Sequence, residues 1–284
     1  MFFSKCYSFL DDANLLYFNG LCAIKKHMKN MKVVILAGGM GTRLSEETDT
    51  RPKPMVEIGG KPILWHIMKY YSAFGFKEFV IALGYKGHLI KDFFVNYHLH
   101  HSDLSVDIKD GSVRLNKAPA EDWRVHLVDT GLHSGTAGRL KMLKSYLKGT
   151  FLMTYGDGVS NVDLTALITH HRRCKKAATL TAVRPPARFG NLSFKGTSQV
   201  QFSEKSQVAE GWINGGFFVL EPKVLDLLDD TKEMFEQRPL ETLSVKGQLN
   251  AYKHEGFWQC MDTLRDVKLL NQQWDAEQAS WRIW

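Results

Sequence analysis

The residues best placed to do chemistry in this sequence are a glycine-rich turn and the basic side chains after it. The turn Gly38-Gly39-Met40-Gly41 follows the apolar run KVVIL after a single alanine, and Arg43 and Lys53 come next. Glycine lets the backbone approach a bound anion because it has no Cβ, and successive N–H groups in such a turn form an anion site. The stretch therefore predicts a polyphosphate-binding loop, with a purely structural turn as the alternative.

Two commoner phosphate-binding loops do not fit this turn. A P-loop requires Gly-Lys-Ser or Gly-Lys-Thr at its end, and neither follows here. A dinucleotide fingerprint requires a third glycine three residues after Gly41, where this chain has Leu44. Both motifs are excluded.

Two aspartates are candidates for holding a metal ion. Asp157 lies in Gly156-Asp157-Gly158, directly after the apolar run FLMTY. Open parallel sheets bind ligands beyond the carboxyl ends of their strands, and Mg²⁺ takes one or two carboxylates together with phosphate oxygens. Without further information Gly-Asp-Gly is also typical of a turn, and Asp262, which precedes Leu264, is equally typical of a helix N-cap.

These motifs, in this order, resemble those of the sugar-phosphate nucleotidyltransferases. LAGGMGTRL, with Lys53 ten residues after Arg43, is similar to the signature of that family. KPMVEIGGKPILWHIMKYYS resembles one branch, the glucose-1-phosphate cytidylyltransferases, and VDTG, TYGDGV, RFGNL, INGGFFVL and GFWQCMDTLRD continue the resemblance. It covers essentially residues 31–284.

The resemblance implies transfer of a cytidylyl group from CTP to α-D-glucose 1-phosphate, giving CDP-glucose and pyrophosphate. Both reactants are anionic, so positioning and neutralisation carry most of the catalysis and no protein nucleophile is needed. Arg43 and Lys53 are the expected catalytic residues, Arg43 at the α-phosphate and leaving pyrophosphate and Lys53 at the transferred group. Asp157 and Asp262 are the expected ligands of Mg²⁺.

The resemblance also implies the substrate contacts. The expected nucleotide-binding residues are Leu36, Ala37, Gly38, Gly39, Met40, Gly41, Thr42, Arg43, Lys53, Ser134, Arg139 and Gly156. The expected sugar-phosphate-binding residues are Glu204, Lys205, Asn214 and Gly215. Taken alone, Arg139 is typical of a surface residue at the start of a helix, and Glu204-Lys205 of a solvated ion pair. The chain departs from the family at Cys260 and Ser206, where proline is usual, and neither change removes a group that the chemistry requires.

Three other functions remain to be weighed. The phosphate-binding motifs are compatible with UTP or dTTP, or with another sugar 1-phosphate. A glycosyltransferase commonly holds its metal with Asp-x-Asp, which this sequence lacks. A non-catalytic regulatory relative is expected to have lost Arg43, Lys53 or an aspartate, and all of these are present.

The elements that must position these side chains follow from the apolar pattern. Short apolar runs predict strands at 32–36, 79–83, 125–128, 151–155, 178–183 and 217–220, and helical spacing follows Pro62 and Asp163 and extends over 86–98, 140–147 and 264–277. A further helix is predicted to begin at Glu221-Pro222, and Asp110-Gly111 predicts a hairpin. Strands alternating with helices imply an α/β fold, and the resemblance implies the same: a Rossmann-like, doubly wound, mostly parallel sheet with inserted β-ribbons, the nucleotidyltransferase fold.

Domain organisation follows from length and pattern. The 284 residues show no internal repeat and no low-complexity linker, so residues 31–284 are predicted to form one domain. Residues 1–30 are apolar in patches, but Asp11-Asp12 interrupts any signal-peptide core. Because chains of the family usually begin near Met31, we expect this segment to be a dispensable extension or a mis-assigned start, with an amphipathic anchor or oligomer arm as the alternative.

Composition limits the partners. The net charge of +7 comes from scattered basic residues without a run of like charge, so it favours a solvated surface over nucleic-acid binding, with some excess charge serving anionic substrates. The four cysteines form no C-x-x-C pair and indicate a reducing compartment. No apolar stretch of about 18 residues occurs, so we expect no membrane span and a cytoplasmic location. The resemblance implies a homo-oligomer, a hexamer, that serves surface-polysaccharide (O-antigen) synthesis.

Overall fold

The computed structural model describes residues 30–116, 121–185, 191–195, 199–203, 211–229 and 231–284. The strands are β1 Val33–Ala37, β2 Glu57–Ile58, β3 Lys61–Pro62, β4 Glu78–Leu83, β5 Leu104–Val106, β6 Val113–Leu115, β7 Arg124–Asp129, β8 Phe151–Tyr155, β9 Gly158–Ser160, β10 Ala178–Val183, β11 Asn191–Lys195, β12 Gln199–Ser203, β13 Ile213–Leu220, β14 Leu249–His254 and β15 Trp258–Cys260. The helices are α1 Ser45–Thr48, α2 Ile63–Ala73, α3 Gly87–Val95, α4 Tyr97–His101, α5 Thr136–Met142, α6 Leu164–Cys174, α7 Arg238–Val245 and α8 Leu264–Asp275. Short 3₁₀ segments lie at Thr42–Leu44, Lys53–Met55 and Pro222–Leu227.

The central element is a seven-stranded sheet in the order β14-β10-β13-β8-β1-β4-β7. Strands β8, β1, β4 and β7 run parallel to one another, and β14 runs parallel to β10. Strand β13 alone in this sheet is antiparallel to both of its neighbours. The predicted α/β fold with a mostly parallel sheet is therefore confirmed.

Both faces of the sheet are covered, as an apolar run without polar alternation requires. Along β1, Val33 and Ile35 pack into one core with α2, whereas Val34 and Leu36 pack into the other with α5. All five residues of β1 are buried. The strand that precedes the glycine turn is thus fixed from both sides.

Small ribbons are added to this sheet, as predicted. They are β2–β3, β5–β6, β9–β15 and β11–β12. The hairpin predicted at Asp110-Gly111 joins β5 to β6, and Gly111 has a φ of +74°, which glycine adopts readily. The β9–β15 ribbon pairs Gly158 with Cys260, so it brings a late part of the chain to the end of β8.

Three helix predictions need correction, whereas the helix predicted to follow Pro62 is confirmed as α2. The helix expected over 86–98 begins at Gly87 and is interrupted at Asn96, so it forms α3 and α4. The helix expected over 140–147 is α5, and after Met142 the chain continues in turns closed by bonds to the third residue back. Pro222 begins a 3₁₀ segment, and Pro62 is the residue before α2. Among the described residues, no helix has both the length and the apolar character needed to cross a membrane.

Candidate active site

A cleft of about 680 Å³ opens at the carboxyl ends of β1 and β8. This is where an open parallel sheet binds ligands. Of the predicted site residues, the cleft is lined by Leu36, Ala37, Gly38, Gly39, Met40, Gly41, Thr42, Arg43, Lys53, Ser134, Arg139, Gly156, Asp157, Asn214 and Asp262. Residues from both ends of the sequence therefore meet in one place.

The glycine turn needs its glycines for conformation and for space. Gly41 has a φ of +67°, and a Cβ there would lie 2.8 Å from Cγ2 of Thr48. A Cβ on Gly38 would lie 2.2 Å from a guanidinium nitrogen of Arg139. The turn therefore keeps its backbone exposed to the cleft while side chains pack closely behind it.

Lys53 lies at the centre of the polar side chains. Its Nζ donates to Oδ2 of Asp157 at 2.7 Å and to Oδ1 of Asp262 at 2.6 Å, and the residue is only 8% exposed. Arg43 donates to the other oxygen of Asp262 at 2.7 Å, with most of its own side chain in solvent. Two cations and two carboxylates thus form one connected network in the cleft, from Lys53 at its floor to Arg43 at its mouth.

The electrostatics of this network hold it in the charged form. Burial lowers the pKa of Lys53, but the charges and hydrogen bonds of Asp157 and Asp262 outweigh burial, so the pKa is raised. Burial likewise raises the pKa of Asp262, and the hydrogen bond and charge of Lys53, together with the charge of Arg43, bring it below its ordinary value. The lysine is therefore positive and Asp262 negative near neutral pH.

Asp262 reaches the cleft because α8 is capped by its neighbours. Thr263 is the N-cap, its side chain accepts from the backbone N–H of Asp266, and Asp266 accepts in return from the N–H of Thr263. The interpretation of Asp262 as the helix cap is therefore wrong. The capping box leaves the Asp262 carboxylate free to point at Lys53 and Arg43.

Asp157 and Asp262 can supply part of the ligand set of a divalent metal ion. Asp157 and Asp262 converge on one point, the Nζ of Lys53, so their carboxylates face each other across a short gap. Within the described residues, no group of three or more His, Cys, Asp or Glu side chains could hold a metal. Two carboxylates suit Mg²⁺ bound together with substrate phosphates, since that ion keeps few protein ligands.

Arg139 is buried rather than at the surface, so the surface interpretation is wrong. It is 4% exposed, and its guanidinium donates to the carbonyl oxygens of Leu83, Gly131 and Gly38 at 3.0, 2.8 and 3.0 Å. Burial lowers the pKa of Arg139, and the charge of Asp129 opposes that shift. Arg139 therefore ties the glycine turn to the ends of β4 and β7, and a nucleotide contact for it stays a prediction.

The remaining predicted contacts are placed unequally. Ser134 lines the cleft and donates to the carbonyl oxygen of Thr130. Asn214 also lines it, whereas Gly215 is next to it in the chain and its carbonyl accepts from Nε1 of Trp258 at 2.7 Å. Glu204 and Lys205 lie outside the described residues.

Several lining residues were missed by sequence reasoning. Tyr155 is the last residue of β8, so its position could have been predicted from the strand boundary. Thr136, Met234 and Glu236 come from the start of α5 and from the segment before α7, where no motif marks them. Cys260 also lines the cleft; burial, followed by the charge of Asp262, raises the pKa of its thiol to about 12, so the thiol stays protonated.

Comparison with known proteins identifies the family of this chain. Residues 32–271 match the family model for nucleotidyl transferase. The chain is 52% identical over 256 residues to a glucose-1-phosphate cytidylyltransferase of Salmonella typhimurium, covering 89% of this chain and all of that protein. It is 30% identical to a mannose-1-phosphate guanyltransferase of Yarrowia lipolytica, covering 80% of this chain and 60% of that protein.

The fold is shared with solved structures of low sequence identity. The crystal structure of HddC from Yersinia pseudotuberculosis superposes with a TM-score of 0.63 at 24% identity. The match covers 86% of this chain and 99% of that chain. At this identity the likeness concerns the fold alone.

Proposed function

Because the chain belongs to the nucleotidyl transferase family, and within it to the glucose-1-phosphate cytidylyltransferase branch, we propose that it makes CDP-glucose. The reaction is CTP plus α-D-glucose 1-phosphate giving CDP-glucose and pyrophosphate. One structural observation carries the proposal: Lys53 bridges Asp157 and Asp262 beside a glycine turn with an exposed backbone. This arrangement suits a triphosphate and a metal ion at the same point.

The residues act by position and charge. The turn 38–41 offers backbone N–H groups to the triphosphate. Lys53, held positive by its two aspartates, stabilises charge on the α-phosphoryl group as an oxygen of the sugar phosphate attacks it. Arg43, mostly exposed at the mouth of the cleft, neutralises the departing pyrophosphate. The bond to the α-phosphorus forms on one side while the bond to pyrophosphate breaks on the other.

We propose Mg²⁺ as the metal ion, held by Asp157 and Asp262. When bound, it supplies neutralising charge to the phosphate oxygens. The ammonium group of Lys53 contacts both carboxylates. It must therefore give up one of these contacts, or share it with the metal ion, when the phosphates bind. Arg139 keeps the turn in place by its bonds to carbonyl oxygens throughout.

The proposal is tested by pyrophosphate release with Mg²⁺ and glucose 1-phosphate, offering CTP, UTP, dTTP, ATP and GTP separately. We expect release with CTP well above the others, and its loss in Asp157→Ala and Asp262→Ala. Release with UTP or dTTP instead would keep the mechanism and overturn the choice of base. Absence of release with every nucleotide, in a folded protein that binds them, would favour a regulatory role.

Three further proposals concern the cellular location of the enzyme, its assembly and its first thirty residues. We propose that the enzyme works in the cytoplasm as a homo-oligomer, and that residues 1–30 are dispensable. A chain beginning at Met31 should keep the full-length kcat/KM, and light scattering on both forms should give the same number of subunits. A loss of activity or assembly on truncation would show that the first thirty residues have a role.

A further inference from the structure

The cleft contains a third carboxylate that the phosphate chemistry does not use. Glu236 lines the cleft together with Asp157 and Asp262. The two aspartates receive the ammonium of Lys53, whereas Glu236 receives the hydroxyl groups of Tyr155 and Thr136. Its negative charge is therefore bound by neutral donors.

The segment that carries Glu236 is fixed against the start of α5. The N–H of Gly135 donates to the carbonyl oxygen of Thr231 at 2.8 Å, and the N–H of Phe235 donates to Oγ1 of Thr136 at 2.7 Å. A Cβ on Gly138 would lie 1.9 Å from the carbonyl oxygen of Thr231, so only glycine allows this approach. Oγ1 of Thr136 then donates to Oε2 of Glu236 at 2.6 Å. The carboxylate is thus positioned before any ligand arrives.

A directed chain of hydrogen bonds leads to the other oxygen of Glu236. Nδ2 of Asn214 donates to the phenol oxygen of Tyr155 at 3.4 Å, and the phenol donates to Oε1 of Glu236. Each carboxylate oxygen therefore has one donor from the protein and further capacity for a donor from a ligand.

Because Glu236 is a carboxylate, it suits some parts of the substrates and not others. A carboxylate close to a phosphate is repelled. Asp157 and Asp262 share the ammonium of Lys53, whereas the hydroxyl groups that donate to Glu236 are neutral. Its hydrogen-bonded neighbours place it near the end of β8, at Tyr155, and the start of β13, at Asn214, whereas the glycine turn follows β1. A neutral group with several hydroxyl donors fits an acceptor-only carboxylate at that position.

We propose that Glu236 accepts hydrogen bonds from hydroxyl groups of the glucosyl ring and is a specificity-determining residue for the sugar. The inference rests on the proposed function, since it assigns the sugar end of the same cleft. Glu236 makes its contact with the ring, and Tyr155 and Thr136 orient its two oxygens. Sugars that lack the contacted hydroxyl lose affinity at this position.

The test compares Glu236→Gln with the wild type in the pyrophosphate-release assay. The change keeps the shape and replaces one acceptor by a donor, so we expect KM for glucose 1-phosphate to rise about 10- to 100-fold, the range for a hydrogen bond to a charged group. KM for CTP should stay within about twofold. Glu233→Gln is the matched control, because Glu233 lies on the same segment and pairs with Arg238.

Monodeoxy analogues of glucose 1-phosphate provide a second, independent measurement. In the wild type, at least one analogue should lose about tenfold or more in kcat/KM, and in Glu236→Ala that same loss should shrink to near onefold. A rise in KM for CTP instead would place Glu236 at the base and overturn the inference. Equal penalties for every analogue in both proteins, with only a lower Tm, would also overturn it. A wild type inactive with every nucleotide would defeat the proposed function instead.

Discussion

Two buried polar side chains in this molecule, Lys53 and His66, differ in charge state. Lys53 lies at the floor of the cleft and is held by charges, and its pKa is raised although burial works against it. His66, in the first turn of α2, is fully buried among the rings of Trp65, Trp274 and Trp281. Burial lowers the pKa of His66 to about 4. Lys53 therefore stays charged, whereas His66 stays neutral near neutral pH.

Burial is the main reason that His66 stays neutral, and two of its hydrogen bonds fit the neutral ring. Nε2 lies 2.8 Å from the carbonyl oxygen of Ile58, so it must carry the proton. Nδ1 is then free to accept from Nε1 of Trp281 at 3.4 Å. A second proton on Nδ1 would face an N–H donor, and no carboxylate is among these partners.

The contrast shows how to separate a site for ligands from a structural site. A neutral group with all its partners inside aromatic packing contributes to stability. Charges gathered at the end of a sheet without apolar packing around them leave their interactions available to a ligand. We expect substitutions in the first region to change stability and those in the second to change catalysis.

The largest expected effect on stability is that of Trp281→Ala. This fully buried ring stacks on Phe257 at 5.6 Å between centroids, and its removal should lower the free energy of unfolding by about 3–5 kcal/mol. At a temperature where the variant is folded, kcat should be unchanged. The control is Trp284→Ala, at the partly exposed chain end. In urea unfolding it should lower the free energy of unfolding by a smaller amount. A large loss of kcat in folded Trp281→Ala would break the comparison.

Lys53→Met should instead lower kcat strongly and stability less. The methionine keeps much of the length and removes the charge, so kcat should fall about 10²- to 10³-fold, the range for losing one preorganised donor to a transition state. Stability should fall less than in Trp281→Ala, because Asp157 is partly exposed and can be reached by water. The control is Lys32→Met, which removes an ion pair with Glu78 at 3.0 Å outside the cleft. A Lys53→Met enzyme with the wild-type kcat would contradict the assigned role.

The pH dependence of stability should report on His66. Between its folded pKa of about 4 and its ordinary value of 6.5, the unfolded chain binds a proton that the folded protein does not. Acid therefore favours unfolding, and His66 alone should remove about 3 kcal/mol of stability as the pH falls through this window. His66→Gln keeps one donor and one acceptor without titrating, so its stability should fall less between pH 7.5 and 4. Parallel pH profiles for both proteins would show that His66 is not the cause.

Much of the fold could be predicted because the apolar runs are short and bounded. The predicted strand 151–155 is β8 residue for residue, and 178–183 is β10. The helix α7 and the strand β14 were not predicted. The helix has only eight residues, and the strand has no fully buried residue. The breaks at Asn96 and after Met142 depend on local hydrogen bonds that periodicity does not describe.

The candidate site was predictable where a residue follows a recognisable strand. Asp157 and the glycine turn come directly after β8 and β1, so the sheet itself places them. Glu236 was not predictable, because it reaches the cleft through contacts with Thr136 and Tyr155, 100 and 81 residues away in sequence. For Asp262, the residues alone favoured a helix cap, and the cap turned out to be Thr263.

The smallest expected effect concerns that cap. Thr263→Ala should lower the free energy of unfolding by about 1 kcal/mol, the usual cost of losing an N-cap side chain. Because Asp266 also accepts from the N–H of Asp262 at 3.0 Å, the loosened cap should let Asp262 move and raise KM for CTP about two- to fivefold. Asp163→Ala removes the N-cap of α6, outside the cleft lining, so it should cost similar stability and leave KM unchanged. If neither variant changes KM, the cap at Thr263 does not serve the cleft, and the separation between stability and catalysis holds there too.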